Sequence, residues 1–163
     1  DRIIPDAIRA LSKNETINIR NPKSIRPWQH VLDPLMGYLI LAEKLFQKDL
    51  QNYESSLEKE ESLASSFNFG PTHESNIDVL TLIKSVTTYW PGEWSTARVD
   101  DAPHESKILM LNIDRSYHLL NWRPKWNLEK TIRRTVNWYK KVHEGTCPIE
   151  ATSLDLKNYQ YAE

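Results

Sequence analysis

Between Ile19 and Val31 the chain reads Ile-Arg-Asn-Pro-Lys-Ser-Ile-Arg-Pro-Trp-Gln-His-Val. Three cations, two prolines, a tryptophan, a glutamine and a histidine share these thirteen residues. Proline fixes φ and removes a backbone donor, so the stretch folds as extended, shaped loop rather than as helix or central strand. A stiff loop that carries arginines beside an aromatic ring is a cradle for a charged, ring-bearing ligand, because guanidinium forks match phosphate oxygens two at a time. The competing reading is a surface loop whose charges are simply solvated.

Bulk properties narrow the function classes. A length of 163 residues fits one domain or part of a larger one. With 39% hydrophobic and 26% charged residues the composition is that of an ordinary globular chain, and a net charge of −1 gives no support for a nucleic-acid surface. The single Cys147 cannot form an intrachain disulfide, so a reducing compartment, the cytoplasm, is the simpler expectation. No apolar run has the length of a bilayer span, and the N-terminus has no charged-then-apolar leader pattern. Six tryptophans are many for this length; a part-domain would leave some of them uncovered.

The pattern around the strap alternates helices with short strands. A helix is expected over 3–12, with Pro5 in the first turn and Ile4, Ile8 and Leu11 on one face. Thr16–Ile19 reads as a short strand, and Trp28–Val31 as a brief strand or turn. Asp33-Pro34 resembles an N-cap and first helical residue, opening a helix to about Lys48. Leu35, Leu39, Ala42 and Phe46 make its apolar stripe, widened by Tyr38, Leu41 and Leu45, as in a helix laid on a sheet. Residues 49–66 are acidic and serine-rich and read as a solvated insertion without chemistry. Phe67–Gly70 reads as a strand, and Asn76 as the cap of a helix over 77–90 with Leu80, Ile83 and Val86 inward. Ala97–Asp100 and Ile108–Leu111 are candidate strands around a loop with Asp101, Pro103, His104 and Glu105. Asp114 caps a helix over 115–121, and Asn127 caps one over 128–144 closed by Gly145. The tail, 147–163, either begins a short helix near Ser153 or is disordered.

The strap resembles the CDP-glucose 4,6-dehydratase family of extended short-chain dehydrogenase/reductases. The resemblance rests on Ile-Arg-Asn-Pro-x-x-Ile-Arg-Pro-Trp-Gln-His-Val, Gly37-Tyr38-Leu39 and Leu41-Ala42-Glu43-Lys44-Leu45. It extends to Asp1-Arg2-Ile3-Ile4-Pro5-Asp6, Phe67-Asn68-Phe69-Gly70-Pro71, Pro103-His104-Glu105 and Leu120-Asn121-Trp122-x-Pro-x-Trp126. It implies an α/β chain, the substrate-binding lobe plus the last elements of an NAD(P)-binding Rossmann-like sheet, with 1–163 as the C-terminal part of a larger enzyme. It also implies a nucleotide-sugar substrate, CDP-glucose, a place in polysaccharide or O-antigen biosynthesis, and a possible homo-oligomer.

Site residues follow from the same resemblance. Arg26 is the expected pyrophosphate ligand, with a salt bridge to a carboxylate such as Asp33 as the alternative. Arg2 and Pro5 lie near the base, and Ile19 and Arg20 wall or contact it. Gln29 and His30 are ligand contacts or internal hydrogen-bond partners; alternate residues of an extended segment face opposite ways, so one of them is expected inside. His104 and Glu105 come from the second loop, where related enzymes place a polar residue beside the ligand. Many of those also carry an arginine just before it, whereas this chain has Asp100 and Asp101.

The machinery of the reaction is expected elsewhere. Gly37, Gly70, Gly92 and Gly145 make no dinucleotide fingerprint, and no tyrosine is followed four residues on by lysine. The scattered histidines and lone cysteine give no metal spacing, and no Gly-x-Ser-x-Gly elbow occurs. Full-length members of the family oxidise C4 of the hexose with NAD⁺, eliminate water across C5 and C6 and return the hydride to C6. The chain alone is expected to be inactive, with NAD held by an N-terminal part. The rivals are a sugar-nucleotide dehydratase or epimerase with another base, and a non-catalytic binding or assembly module.

Overall fold

The computed structural model describes residues 2–51, 63–96 and 106–162. Among these residues, six α-helices and four three-residue strands follow in the order α1 (Ile3–Ser12), β1 (Ile17–Ile19), β2 (Ile25–Pro27), α2 (Leu32–Gln51), β3 (Asn76–Asp78), α3 (Val79–Tyr89), β4 (Trp94–Thr96), α4 (Asp114–Leu120), α5 (Leu128–His143) and α6 (Pro148–Gln160). β1 pairs in parallel with β4, Ile17 opposite Trp94 and Asn18 opposite Ser95. β2 pairs antiparallel with β3, Arg26 opposite Ile77.

The main core joins α1, β1, α3 and α5. Ala7, Ile8 and Leu11 meet Ile17, Ile19, Leu82, Ile83, Val86, Ile132 and Val136. These positions recur at helical spacing on α1, α3 and α5 and at alternate positions on β1, so a narrow apolar face on each element fills one shared interior. α3 starts later than its apolar pattern suggests. Asp78, not Asn76, caps it by accepting from the Thr81 N–H, and Asn76–Asp78 is spent on β3. Asn127 does cap α5, accepting from the Lys130 N–H, and Gly145 follows that helix at φ +101, where a side chain would be strained.

A second, smaller cluster holds Phe69, Leu120 and Trp122 against Ile40, Leu41 and Phe67. A Cβ on Gly37 would overlap the Phe69 ring, which Trp122 holds edge-on at 5.0 Å, so α2 can approach only through a glycine. Phe67–Gly70 is not a strand here. Its backbone carbonyls serve side chains instead: Ser116 Oγ donates to Asn68 O, and Gln29 Nε2 donates to Phe69 O at 2.7 Å. Ile108 makes only an isolated bridge to Ile25. The candidate strand Ala97–Asp100 and most of the acidic insertion, 52–62, lie outside the described residues.

Asp33 does not cap α2, which begins one residue before it. Its carboxylate, fully buried, receives the Lys125 N–H at 2.8 Å and the Tyr159 hydroxyl at 2.7 Å, and its carbonyl receives the Trp122 indole N–H at 3.2 Å. The tail is correspondingly ordered: α6 starts at Pro148, a residue suited to a helix start, and is docked through Tyr159.

Candidate functional site

The first turn of α1 and the strap enclose a cleft of about 460 Å³. Arg2, Pro5 and Asp6 enter from α1, Asn18 and Arg20 from β1 and its end, and Arg26 and Trp28 from the far side of the strap. The strap keeps its shape through hydrogen bonds at both ends. Val79 N–H donates to Ser24 O at 3.1 Å, Leu80 N–H to Pro22 O at 3.0 Å, and the Trp28 indole N–H to Ile77 O at 2.9 Å. Pro22 and Pro27 contribute no donors, so no N–H is stranded at those bends.

Arg26 is half-buried, and its Nη1 donates to Ile25 O at 2.8 Å and Ser106 O at 2.9 Å. Two carbonyls thus set the direction of the guanidinium along the cleft wall. Asp33, the carboxylate offered by the sequence as its alternative partner, is occupied by Lys125 and Tyr159. Among the described residues, three guanidinium groups and one carboxylate line the cleft, and Asp6 pairs with Arg9 on its own helix. Guanidinium groups at a cleft wall suit an anionic ligand.

The remaining expected residues divide. Ile19 is fully buried in the main core, so its side chain does not wall the cleft. The alternation of β1 gives that role to its neighbour Asn18, which the sequence reading passed over although the period of two marks it. Gln29 and His30 both turn inward. Gln29 serves Phe69 O, and His30 accepts the Leu32 N–H at 3.3 Å and packs on Trp126 with ring centroids 4.5 Å apart. Burial, helped by the charge of Arg134, pulls the His30 pKa down to about 4, so the ring is neutral near pH 7. Both residues line a second, mainly apolar cleft of about 540 Å³ between α1, α3, α5 and α6, which shares Arg2, Ile4, Pro5 and Trp28 with the first. His104 and Glu105 lie outside the described residues. Among those described, no cluster of histidine, cysteine, aspartate or glutamate could hold a metal, and no helix is long and apolar enough to cross a membrane.

No family model matches the chain. Over 164 aligned residues it is 33% identical to a CDP-glucose 4,6-dehydratase of Salmonella typhimurium, covering 99% of this chain and 42% of that protein. The chain thus spans less than half the length of the curated relative it matches. Its fold superposes on a dTDP-glucose 4,6-dehydratase from Bacillus anthracis solved with NAD (TM-score 0.66, 16% identity, 88% of this chain and 40% of that one). It also superposes on a UDP-glucuronic acid 4-epimerase from Bacillus cereus solved with a fluorinated UDP-sugar and NAD (TM-score 0.67, 15% identity, 87% of this chain and 40% of that one). The chain is related along nearly its whole length to a CDP-glucose 4,6-dehydratase, and its fold is that of a C-terminal portion of the extended short-chain dehydrogenase/reductase enzymes.

Proposed function

We propose that this chain is the nucleotide-sugar-binding part of an NAD-dependent CDP-glucose 4,6-dehydratase, which converts CDP-glucose to CDP-4-keto-6-deoxyglucose with loss of water. The observation that carries the reading is the convergence of Arg2, Arg20 and Arg26 on one cleft from separate elements. In this reading Arg26, aimed by its bonds to Ile25 O and Ser106 O, grips the diphosphate, and Arg2 and Arg20 add charge on either side. Pro5 and Ile4 give the base an apolar wall, and His104 and Glu105 are assigned to ligand contact on the resemblance alone. Gln29 and His30 act indirectly, by holding the strap on Phe69 and Trp126. Gripping the nucleotide far from the sugar ring is catalytic in effect, because remote binding energy positions the reacting carbon.

We place NAD outside this chain because its four glycines are scattered. Gly37 lies inside α2, Gly70 and Gly92 in separate loops and Gly145 beyond α5, and among the described residues no strand runs through a glycine-rich turn into a helix. Our reading places NAD and the acid–base groups on polypeptide beyond this chain, which is inactive by itself. The insertion around 49–66 plays no part in the chemistry. The exposed, unpaired Cys147 fits the cytoplasm, and a 4-keto-6-deoxy product would feed polysaccharide or O-antigen assembly.

Titration calorimetry of the chain with CDP tests the site. CDP should bind, and Arg26→Ala should weaken it by roughly 10- to 100-fold, the worth of a charge-assisted pair, while cytidine without phosphates is affected far less. Absence of binding by any nucleoside diphosphate at millimolar concentration would overturn the reading.

A further inference from the structure

We propose that Ser106 is a positioning residue for Arg26: its hydroxyl holds its own carbonyl in the place where that carbonyl fixes the plane of the guanidinium. The inference rests on Arg26 meeting the diphosphate as proposed above and adds the group that aims it. The bonds concerned each have a single possible direction, because a guanidinium only donates and a backbone carbonyl only accepts. Arg26 Nη1 donates to Ile25 O at 2.8 Å and to Ser106 O at 2.9 Å. Two bonds from one nitrogen of a rigid planar group set the orientation of the whole plane.

Ile25 O is the firmer support. It belongs to β2 and also accepts the Leu109 N–H at 3.1 Å, while the Ile25 N–H donates to Lys107 O at 2.8 Å. These two bonds lay residues 107–109 alongside β2 at the parallel Ile25–Ile108 bridge. Ser106 is exposed and lies one residue before that docked stretch. Its hydroxyl ties it down by donating to Ile108 O at 2.7 Å. The bond closes the short segment on itself and carries the register of the bridge back to the carbonyl that Arg26 uses. A long side chain that is already held in place loses less freedom when its anion binds, so Ser106 raises affinity without touching the ligand.

Ser106→Ala removes the hydroxyl, leaves every backbone group in place and lies outside both cores. In titration calorimetry on the chain it should weaken CDP by about two- to tenfold, the worth of one side chain that must be ordered on binding. Ser106→Thr keeps the hydroxyl and should bind CDP as the unaltered chain does. Cytidine, which lacks phosphates, should respond to neither change. In the Arg26→Ala background Ser106→Ala should add nothing, because the group it positions is gone. Magnetic-resonance relaxation of the Arg26 Nε–H, measured without nucleotide, should report a restricted side chain that becomes mobile in Ser106→Ala. Equal Arg26 motion in the two proteins, an unchanged CDP affinity in Ser106→Ala, or the same loss with and without Arg26 overturns the positioning role and leaves the diphosphate site intact. Undiminished CDP binding by Arg26→Ala removes the diphosphate reading and this inference together.

Discussion

His30 illustrates how one residue's surroundings set its chemistry. In sequence it sits in the strap beside Gln29 as a possible ligand contact. In the fold it is 7% exposed, packed on Trp126, and bonded to the Leu32 N–H through Nδ1. Its pKa near 4 against an ordinary 6.5 means that the unfolded chain binds the proton first as pH falls. His30 therefore favours the fold above pH 6.5 and withdraws that support as the pH drops from 6.5 to 4, by up to about 3 kcal/mol. Asp33 works in the other direction. Burial raises its pKa, against the Tyr159 hydroxyl and the Lys125 and Trp126 N–H groups, so the fold holds its proton more tightly than the unfolded chain does. Urea unfolding of the chain and of His30→Gln at pH 7, 5.5 and 4 separates the two. The substitution should flatten the loss of stability toward pH 4, and parallel curves would show that His30 does not cause it.

At the scale of elements, α6 shows what local pattern conceals. The tail has little amphipathic order, and its pattern offers either a short helix from Ser153 or disorder, whereas α6 starts at Pro148. What holds the helix is tertiary: Tyr159 donates to Asp33 and meets Trp126 edge-on at 5.2 Å, and Arg134 on α5 pairs with Asp155 at 3.4 Å. The same contacts explain why Asp33 is no N-cap, since its carboxylate is claimed by residues 92 and 126 positions away. Tyr159→Phe removes one donor from a buried carboxylate and should cost about 1–3 kcal/mol. Hydrogen exchange should show the loosening concentrated in α6. A loss spread evenly over α1, α3 and α5 would mean that α6 is not held by this bond.

For the whole molecule, the informative feature is an apolar face left in solvent. On α2, Leu35, Tyr38, Leu39 and Phe46 are all more than 45% exposed, and Ile108, Leu109 and Met110 add a second apolar stretch. The stripe is the one that reads in sequence as a helix laid on a sheet. Its exposure agrees with a chain that spans 42% of the relative it matches. The isolated chain should self-associate and bind a hydrophobic dye. Changing Leu35, Leu39 and Phe46 together to glutamine should suppress both with little change in melting temperature, because these side chains lie outside both cores. A monomeric, dye-silent chain before substitution would show that the face is not a covered surface and would favour a self-contained binding module.

Local physics sufficed for much of the protein. The period of apolar residues marks α1, α2, α3 and α5, Asn127 and Gly145 delimit α5, and the two prolines predict an extended strap with its arginines. Those features depend on neighbours a few residues away, where spacing and dihedral preference decide. Tertiary structure settled which of the two faces of β1 is buried, although the period of two already set Asn18 apart from Ile17 and Ile19. Tertiary structure alone turned Gln29 and His30 inward, withdrew Asp33 from its helix cap and ordered the tail. Each of those outcomes is a competition for burial or for a hydrogen-bond partner between residues far apart in the chain, and a linear pattern holds no record of which distant partner wins.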